Sequence, residues 1–157
     1  MGMVIGWFAS AAATYQYLRV YITANDGSAL YNGMSSLQLR DAGGTDRAFG
    51  LLESSYTASS SLFSGVGPHQ AGDADNASRW LTSTNAVPAW IAIDLGAQYA
   101  VKDYSIRSSQ DEAGTAPSAW ELQGNNTSPG AGEAWATVHA VSSSSGWSLG
   151  ETRTFSV

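Results

Sequence analysis

Six consecutive residues, Asp73-Ala74-Asp75-Asn76-Ala77-Ser78, gather carboxylates, an amide and a hydroxyl on one short polar stretch. Oxygen donors clustered on a tight loop suit Ca²⁺, a hard cation that takes about six to eight of them. The same spacing suits an Asx-turn, in which Asp73 and Asp75 accept bonds from backbone N–H groups. Asp73, Asp75 and Ser78 are therefore candidate metal ligands, with a structural calcium as the one candidate cofactor. A second chemistry is sugar binding, which needs an aromatic ring for the C–H face of the sugar and a few oriented polar groups for its hydroxyls. Loop positions that offer such groups are His69, Asn85, Arg107, Gln110, Asp111 and Trp147. Trp147 follows the polar run Ser142–Ser145 and is the tryptophan least tied to a strand. Trp80, Trp90, Trp120 and Trp135 are expected in or near the core.

Catalysis has little to draw on. His69 and His139 are the only histidines. Catalytic triads are assembled in space, so the sequence alone does not settle the matter. Neither histidine has a nucleophile-elbow motif near it. His139 alternates with Trp135 and Thr137 and reads as a strand-face residue. Asp111, Glu112, Glu121 and Glu133 are the acids from which a glycosidase pair would be drawn, and most sit at loop or solvent-face positions. The expectation is a protein that is not an enzyme.

The elements that must carry these residues are strands. In Tyr15–Ile22, Leu18, Val20 and Ile22 share one face, while Tyr15, Tyr17, Arg19 and Tyr21 share the other. That is the two-residue period of a strand with one face in the core. Leu37 and Leu39, then Ile91, Ile93 and Leu95, then Tyr104 and Ile106, then Trp120 and Leu122 repeat it. Arg153, Phe155 and Val157 form a last face. Asn25-Asp26-Gly27 marks a turn. Seven to nine short strands between turn-rich loops predict an all-β fold, an antiparallel jelly-roll β-sandwich. Ala48–Ser55 reads as either a helical turn or a short strand. Leu18, Val20, Ile91, Ile93, Ile106, Leu122 and Phe155 are expected between the sheets.

Composition narrows the partners. The 157 residues include one lysine, six arginines and thirteen acids, for a net charge of −6, and no cysteine. Nucleic-acid binding needs a cationic surface, so it is not expected. An anionic membrane is a poor partner for the same reason, and membrane insertion is not expected. The first fourteen residues are an apolar arm with Met3, Val4, Ile5, Trp7 and Phe8, too short to span a bilayer and without the positive start of a signal peptide. Such residues are costly to leave in water. They are expected to pack on another copy of the chain or on a surface where it assembles. Residues 15–157 are expected to form one domain.

Four stretches carry a family resemblance. Ala71–Trp80 is similar to the Ala-Phe-Asp-Gly-Asp-x-x-Thr-x-Trp loop of the discoidin, or coagulation-factor type C, domain. Pro88–Gly96 resembles its Trp-Ile-x-x-Asp-Leu-Gly strand. Ala116–Gly124 resembles its Pro-x-x-Trp-x-Leu-Gln-Gly strand, and Gly150–Phe155 its late strand. The family is galactose-binding-like. The resemblance implies a calcium held by the Asp73 carboxylate, the Asp75 carbonyl and Ser78. Ala74 stands where the family has glycine, and Ser36 where it has a glutamate that helps close the site. The family's closing strands match the front of this chain, at Tyr15–Val20 and Ser36–Leu39, which looks like a circular permutation. It places Val157 near Tyr15 at one end of one sandwich. Permuted modules of this kind resemble short proteins carried by tailed bacteriophages. The leading expectation is thus a non-catalytic virion structural protein, as decoration, tail or fibre, with other virion proteins or its own copies as partners. The alternative is an adhesion module that recognises surface glycans.

Overall fold

The structure is a computed structural model that describes residues 12–128 and 134–157. Met3, Val4, Ile5, Trp7, Phe8 and Glu133 lie outside the described residues. Among these residues ten strands follow in order: β1 (Tyr15–Asn25), β2 (Gly33–Met34), β3 (Ser36–Asp41), β4 (Tyr56–Ala58), β5 (Trp80–Leu81), β6 (Ala89–Tyr99), β7 (Val101–Arg107), β8 (Pro117–Asn125), β9 (Ala136–Val141) and β10 (Thr152–Ser156). A five-stranded sheet has the order β4-β6-β1-β8-β9, a three-stranded sheet β10-β7-β3, and β2 pairs with β5. Every pairing is antiparallel. The only helical pieces among the described residues are 3-10 turns of three or four residues. The expected all-β sandwich is what forms.

The alternation in β1 explains its central place. Leu18, Val20 and Ile22 are fully buried, and Leu18 and Val20 sit opposite Ile93 and Ile91 of β6 and Gly124 and Leu122 of β8. Leu37 and Leu39 of β3 and Tyr104 and Ile106 of β7 close the core from the other sheet. Each such aliphatic side chain contributes about 1.5–3 kcal/mol when taken fully out of water. Phe155 of β10 is partly buried, stacked on Tyr104 at 5.3 Å and edge-on to Trp120 at 5.0 Å. The turn at Asn25-Asp26-Gly27 is also present: Asn25 Oδ1 accepts the Gly27 N–H at 3.0 Å. In the stretch Ala48–Ser55 the ordered element is a 3-10 turn at Glu53–Ser55.

Tryptophan placement departs from expectation at three positions. Trp147 is 6% exposed and belongs to the core. Its indole N–H donates to the Pro117 carbonyl at 3.0 Å, and its backbone N–H donates to Asp26 Oδ2 at 2.8 Å. The Asp26 carboxylate thus pins an otherwise polar loop onto the sandwich, which strand periodicity does not encode. Trp90 and Trp135 are only half-buried. Trp90 pairs with Tyr21 on the outer face of the large sheet, and the Trp135 ring lies 4.3 Å from the Arg19 guanidinium. His139 departs too. A register shift lets Thr137 pair with Gln123 but His139 with Leu122, so the alternation breaks at Val138. His139 consequently turns inward, and its Nδ1 lies 2.9 Å from Tyr104 Oη.

Tyr15 and Val157 line one depression of about 310 Å³ with Ala12, Val101 and Val138. No helix among the described residues is long and apolar enough to cross a membrane.

Candidate functional site

The Asp73 loop leaves the core through Gly72. A Cβ at Gly72 would lie 2.0 Å from Tyr56 Oη, so only glycine lets the chain cross there. Tyr56 bonds the Ala48 carbonyl beneath, and its hydroxyl is pushed up to about 12, by burial first and then by the Asp46 and Asp73 charges. The next residue but one, Ala74, takes φ +61°. That left-handed conformation costs a residue with a Cβ roughly 1 kcal/mol.

Around Ser78 Oγ four acceptor oxygens converge. Asp73 Oδ1 and Oδ2 and the Asp75 carbonyl each lie at 2.8 Å, and the Gln70 carbonyl at 3.0 Å. A hydroxyl has one proton to donate. At least three lone-pair groups therefore face an oxygen that cannot satisfy them. Such a set, with one carboxylate, two carbonyls and a hydroxyl, fits a hard cation. Both Asx-turn bonds exist as well: Asp75 N–H donates to Asp73 Oδ1 at 2.8 Å and Ala77 N–H to Asp75 Oδ1 at 2.9 Å. Asp75 thereby spends its carboxylate on the turn and offers its carbonyl to the cluster. Among the described residues no three His, Asp or Glu side chains group together, which leaves the Asp73 loop as an oxygen site with a single carboxylate, one hydroxyl and two backbone carbonyls.

Beyond the loop lies a cleft of about 210 Å³, lined by Ser36, Gln38, Asn76, Ser105, Arg107 and Thr152. Strands β3, β7 and β10 supply all but Asn76, which the loop delivers. Ser36 and Gln38 also line an adjoining groove of about 270 Å³ with Asp46, Gly72, Ala74 and the exposed ring of Phe49. The groove runs between Ser36 and the Asp73 loop. Phe49 escaped the sequence reading because it sits in no periodic segment.

Arg107 is the charge of this cleft. Its Nη1 reaches Thr152 Oγ1 at 3.3 Å, while its Nε is buried with no hydrogen-bond partner among the described residues. No carboxylate among the described residues forms an ion pair with it, whereas Arg40, Arg47, Arg79 and Arg153 each have one. Gly150 makes room for it: φ is +65°, and a Cβ there would meet Arg107 Nη2 at 2.8 Å. Gln110 joins the rim, its amide donating to the Asn76 carbonyl at 2.8 Å. Asp111 pairs with Arg79, just past the loop.

Three of the six candidate ligand residues, Arg107, Gln110 and Asp111, thus gather beside the loop. The other three do not. His69 lies in the 3-10 turn before the loop, its Nδ1 3.4 Å from Glu53 Oε1. Asn85 is exposed in a separate loop. Trp147 is spent on the core. Among the described residues no serine hydroxyl bonds either imidazole.

Residues 70–157 match the family model described as a NedA-like, galactose-binding domain of F5/F8 type C. No curated protein matches the chain. The matched span carries the Asp73 loop, Arg107 and β6 to β10, while β1 and β3, which complete both sheets, precede it. With more than half of its length matched, the chain belongs to the F5/F8 type C family of galactose-binding-like domains.

Proposed function

We propose that this protein is a non-catalytic carbohydrate-binding module whose ligand sits in the Arg107 cleft. The observation that carries the reading is Arg107 itself, a guanidinium without a carboxylate, facing a cleft lined with hydroxyls and amides. A planar donor fork matches vicinal sugar hydroxyls or a sugar carboxylate. Ser36, Gln38, Asn76 and Thr152 provide further donors and acceptors, and the Phe49 ring beside them offers an apolar face. Membership of a galactose-binding-like family points the same way.

The Asp73 loop holds a calcium in this reading. Asp73, Ser78 and the Asp75 and Gln70 carbonyls would hold the ion, whose charge would offset the Asp73 carboxylate beside Asn76. Millimolar calcium should raise the melting temperature over chelator, because only the folded state gathers these oxygens. Equal melting temperatures would remove the metal from the account.

The reading includes circular permutation. It is supported by Tyr15 and Val157 lining one depression and by β1 filling the gap between β6 and β8 that the matched span leaves. Assembly on a virion ranks second, because it rests on the apolar arm at Met3, Val4, Ile5, Trp7 and Phe8, outside the described residues. A glycan array probed with the full chain separates the two. Selective retention by a defined glycan class supports the module, and an array blank in calcium rejects it.

A further inference from the structure

The outer face of the five-stranded sheet carries aromatic side chains that the fold does not consume. Trp80, Trp120 and Trp147 each donate their indole N–H inside the protein, to Ser60 O, Tyr104 Oη and Pro117 O. Trp90 and Trp135 are half-buried, and their indole N–H groups donate to nothing among the described residues. A tryptophan that keeps one ring face and its N–H at the surface is suited to a partner that is apolar on one side and hydrogen-bonding on the other.

Trp90 lies in a pocket of about 280 Å³ with Tyr17, Ser54, Ser55, Thr57, Ala92 and Asp94. The register explains the hollow. Trp90 stands opposite Tyr21, Tyr17 opposite Asp94, and between those two rows the small Ala92 stands opposite Arg19 and Thr57. Rings thus rise on two sides of a floor made by one methyl group. Ser54, Ser55, Thr57 and Asp94 complete the lining with hydroxyls and a carboxylate. The Asp94 Oδ1 atom is held in place by the Gly96 N–H at 2.8 Å and the Gln16 amide at 3.0 Å.

Charge excludes an anionic occupant. Arg19, the one cation on this face among the described residues, is spent: it lies 4.3 Å from the Trp135 ring centroid and 4.8 Å from that of Tyr21, and its Nε donates to Gln123 at 2.6 Å. What remains at the pocket is the carboxylate of Asp94, with Glu121 further along the face. An anionic ligand is repelled there, and a second copy docking face to face would set acid against acid. An uncharged sugar avoids both penalties, stacking its C–H face on a ring and donating its hydroxyls to Asp94.

We infer that the Trp90–Tyr17–Asp94 pocket is a second carbohydrate site, selective for neutral sugars and independent of the Arg107 cleft. The inference rests on the carbohydrate reading, but the two fail separately. The test is a nitrogen-edited NMR titration of the full chain with galactose, N-acetylgalactosamine, glucose and mannose, with the indole signals assigned by single Trp→Phe variants. At least one of these sugars should move the Trp90 indole signal in a saturable way. The movement should persist in Arg107→Ser, and Trp90→Ala should abolish that second binding event while leaving the cleft titration unchanged. Asp94→Asn should weaken it about tenfold with the fold's amide spectrum retained. A Trp90 signal that stays still with all four sugars overturns the second site, whether or not cleft signals move. A Trp90 signal that moves in wild type but not in Arg107→Ser overturns its independence.

Discussion

The two outer sheet faces of this sandwich are built from the same strand alternation, yet Arg40 on one and Arg19 on the other are held in opposite ways. On the three-stranded sheet, Arg40 Nε donates to Asp103 Oδ1 at 2.5 Å, Nη2 to Ser105 Oγ at 2.5 Å and Nη1 to Gln38 Oε1 at 2.9 Å. Ser105 continues to Thr154 at 2.8 Å, so β3, β7 and β10 are riveted by one network. On the five-stranded sheet, Arg19 has no carboxylate in ion-pair contact among the described residues and lies instead between two rings. Burial pulls its pKa down, with the Tyr21 and Glu121 charges opposing. A cation held by a carboxylate and hydroxyls is a cross-strand tie. A cation held by rings orders an aromatic surface and leaves Asp94 and Glu121 without an arginine partner among the described residues.

That contrast predicts unequal costs. Arg40→Ala strips the donor from Asp103 and from the buried Ser105, both poorly solvated. It should cost about 2 kcal/mol, less than a fully buried broken pair because Arg40 remains partly exposed. Urea unfolding should show a lower midpoint at unchanged slope. Arg19→Ala removes cation–π contacts at a half-exposed site and should cost about 1 kcal/mol. If Arg19→Ala costs more than Arg40→Ala, the division between tie and platform is wrong. Ala74→Gly relieves a left-handed alanine but frees the unfolded chain, and should stabilise by roughly 0.5 kcal/mol. A destabilised Ala74→Gly would mean that the positive φ is not strained in the apo loop.

The smallest effect is electrostatic. Glu121 is held below the ordinary carboxylate range, first by the Gln123 amide at 2.6 Å and then by the Thr137 hydroxyl at 2.8 Å. Because its folded-state value is the lower one, the unfolded chain takes up the proton first. Its stabilisation is present above the unfolded carboxylate value and lost as pH falls through the folded one. Asp41 and Glu151 behave likewise, held down by Arg47 and Arg153. Urea midpoints followed from neutral to acid pH should fall slightly less steeply in Glu121→Gln than in wild type. An identical slope would detach Glu121 from the platform.

Most of the sandwich was legible because burial in a sheet imposes a period of two, and Leu18, Val20, Ile91, Ile93, Ile106 and Leu122 obey it without interruption. The failures fall where another constraint overrides that period. The register shift in β9 turned His139 inward. The Asp26 carboxylate pulled Trp147 into the core from a serine-rich loop. Trp90 and Trp135 read as core from residue type alone, although Trp90 alternates against Ile91 and Ile93 on the solvent side. The site was legible in its chain-local part, the Asp73 loop. Arg107 and Gln110 were candidates singly, but their meeting with Asn76, and the Gly150 that admits Arg107, depend on β7 and β10 lying side by side.

In the proposed function Arg107 recognises a glycan. Its most direct test is calorimetric titration of the strongest array ligand into wild-type protein and Arg107→Ser in the same calcium buffer. Losing a charge-assisted hydrogen bond costs about 1.5–3 kcal/mol, so the variant should bind roughly tenfold to a hundredfold more weakly at an unchanged melting temperature. Equal affinity in the two proteins would contradict the account.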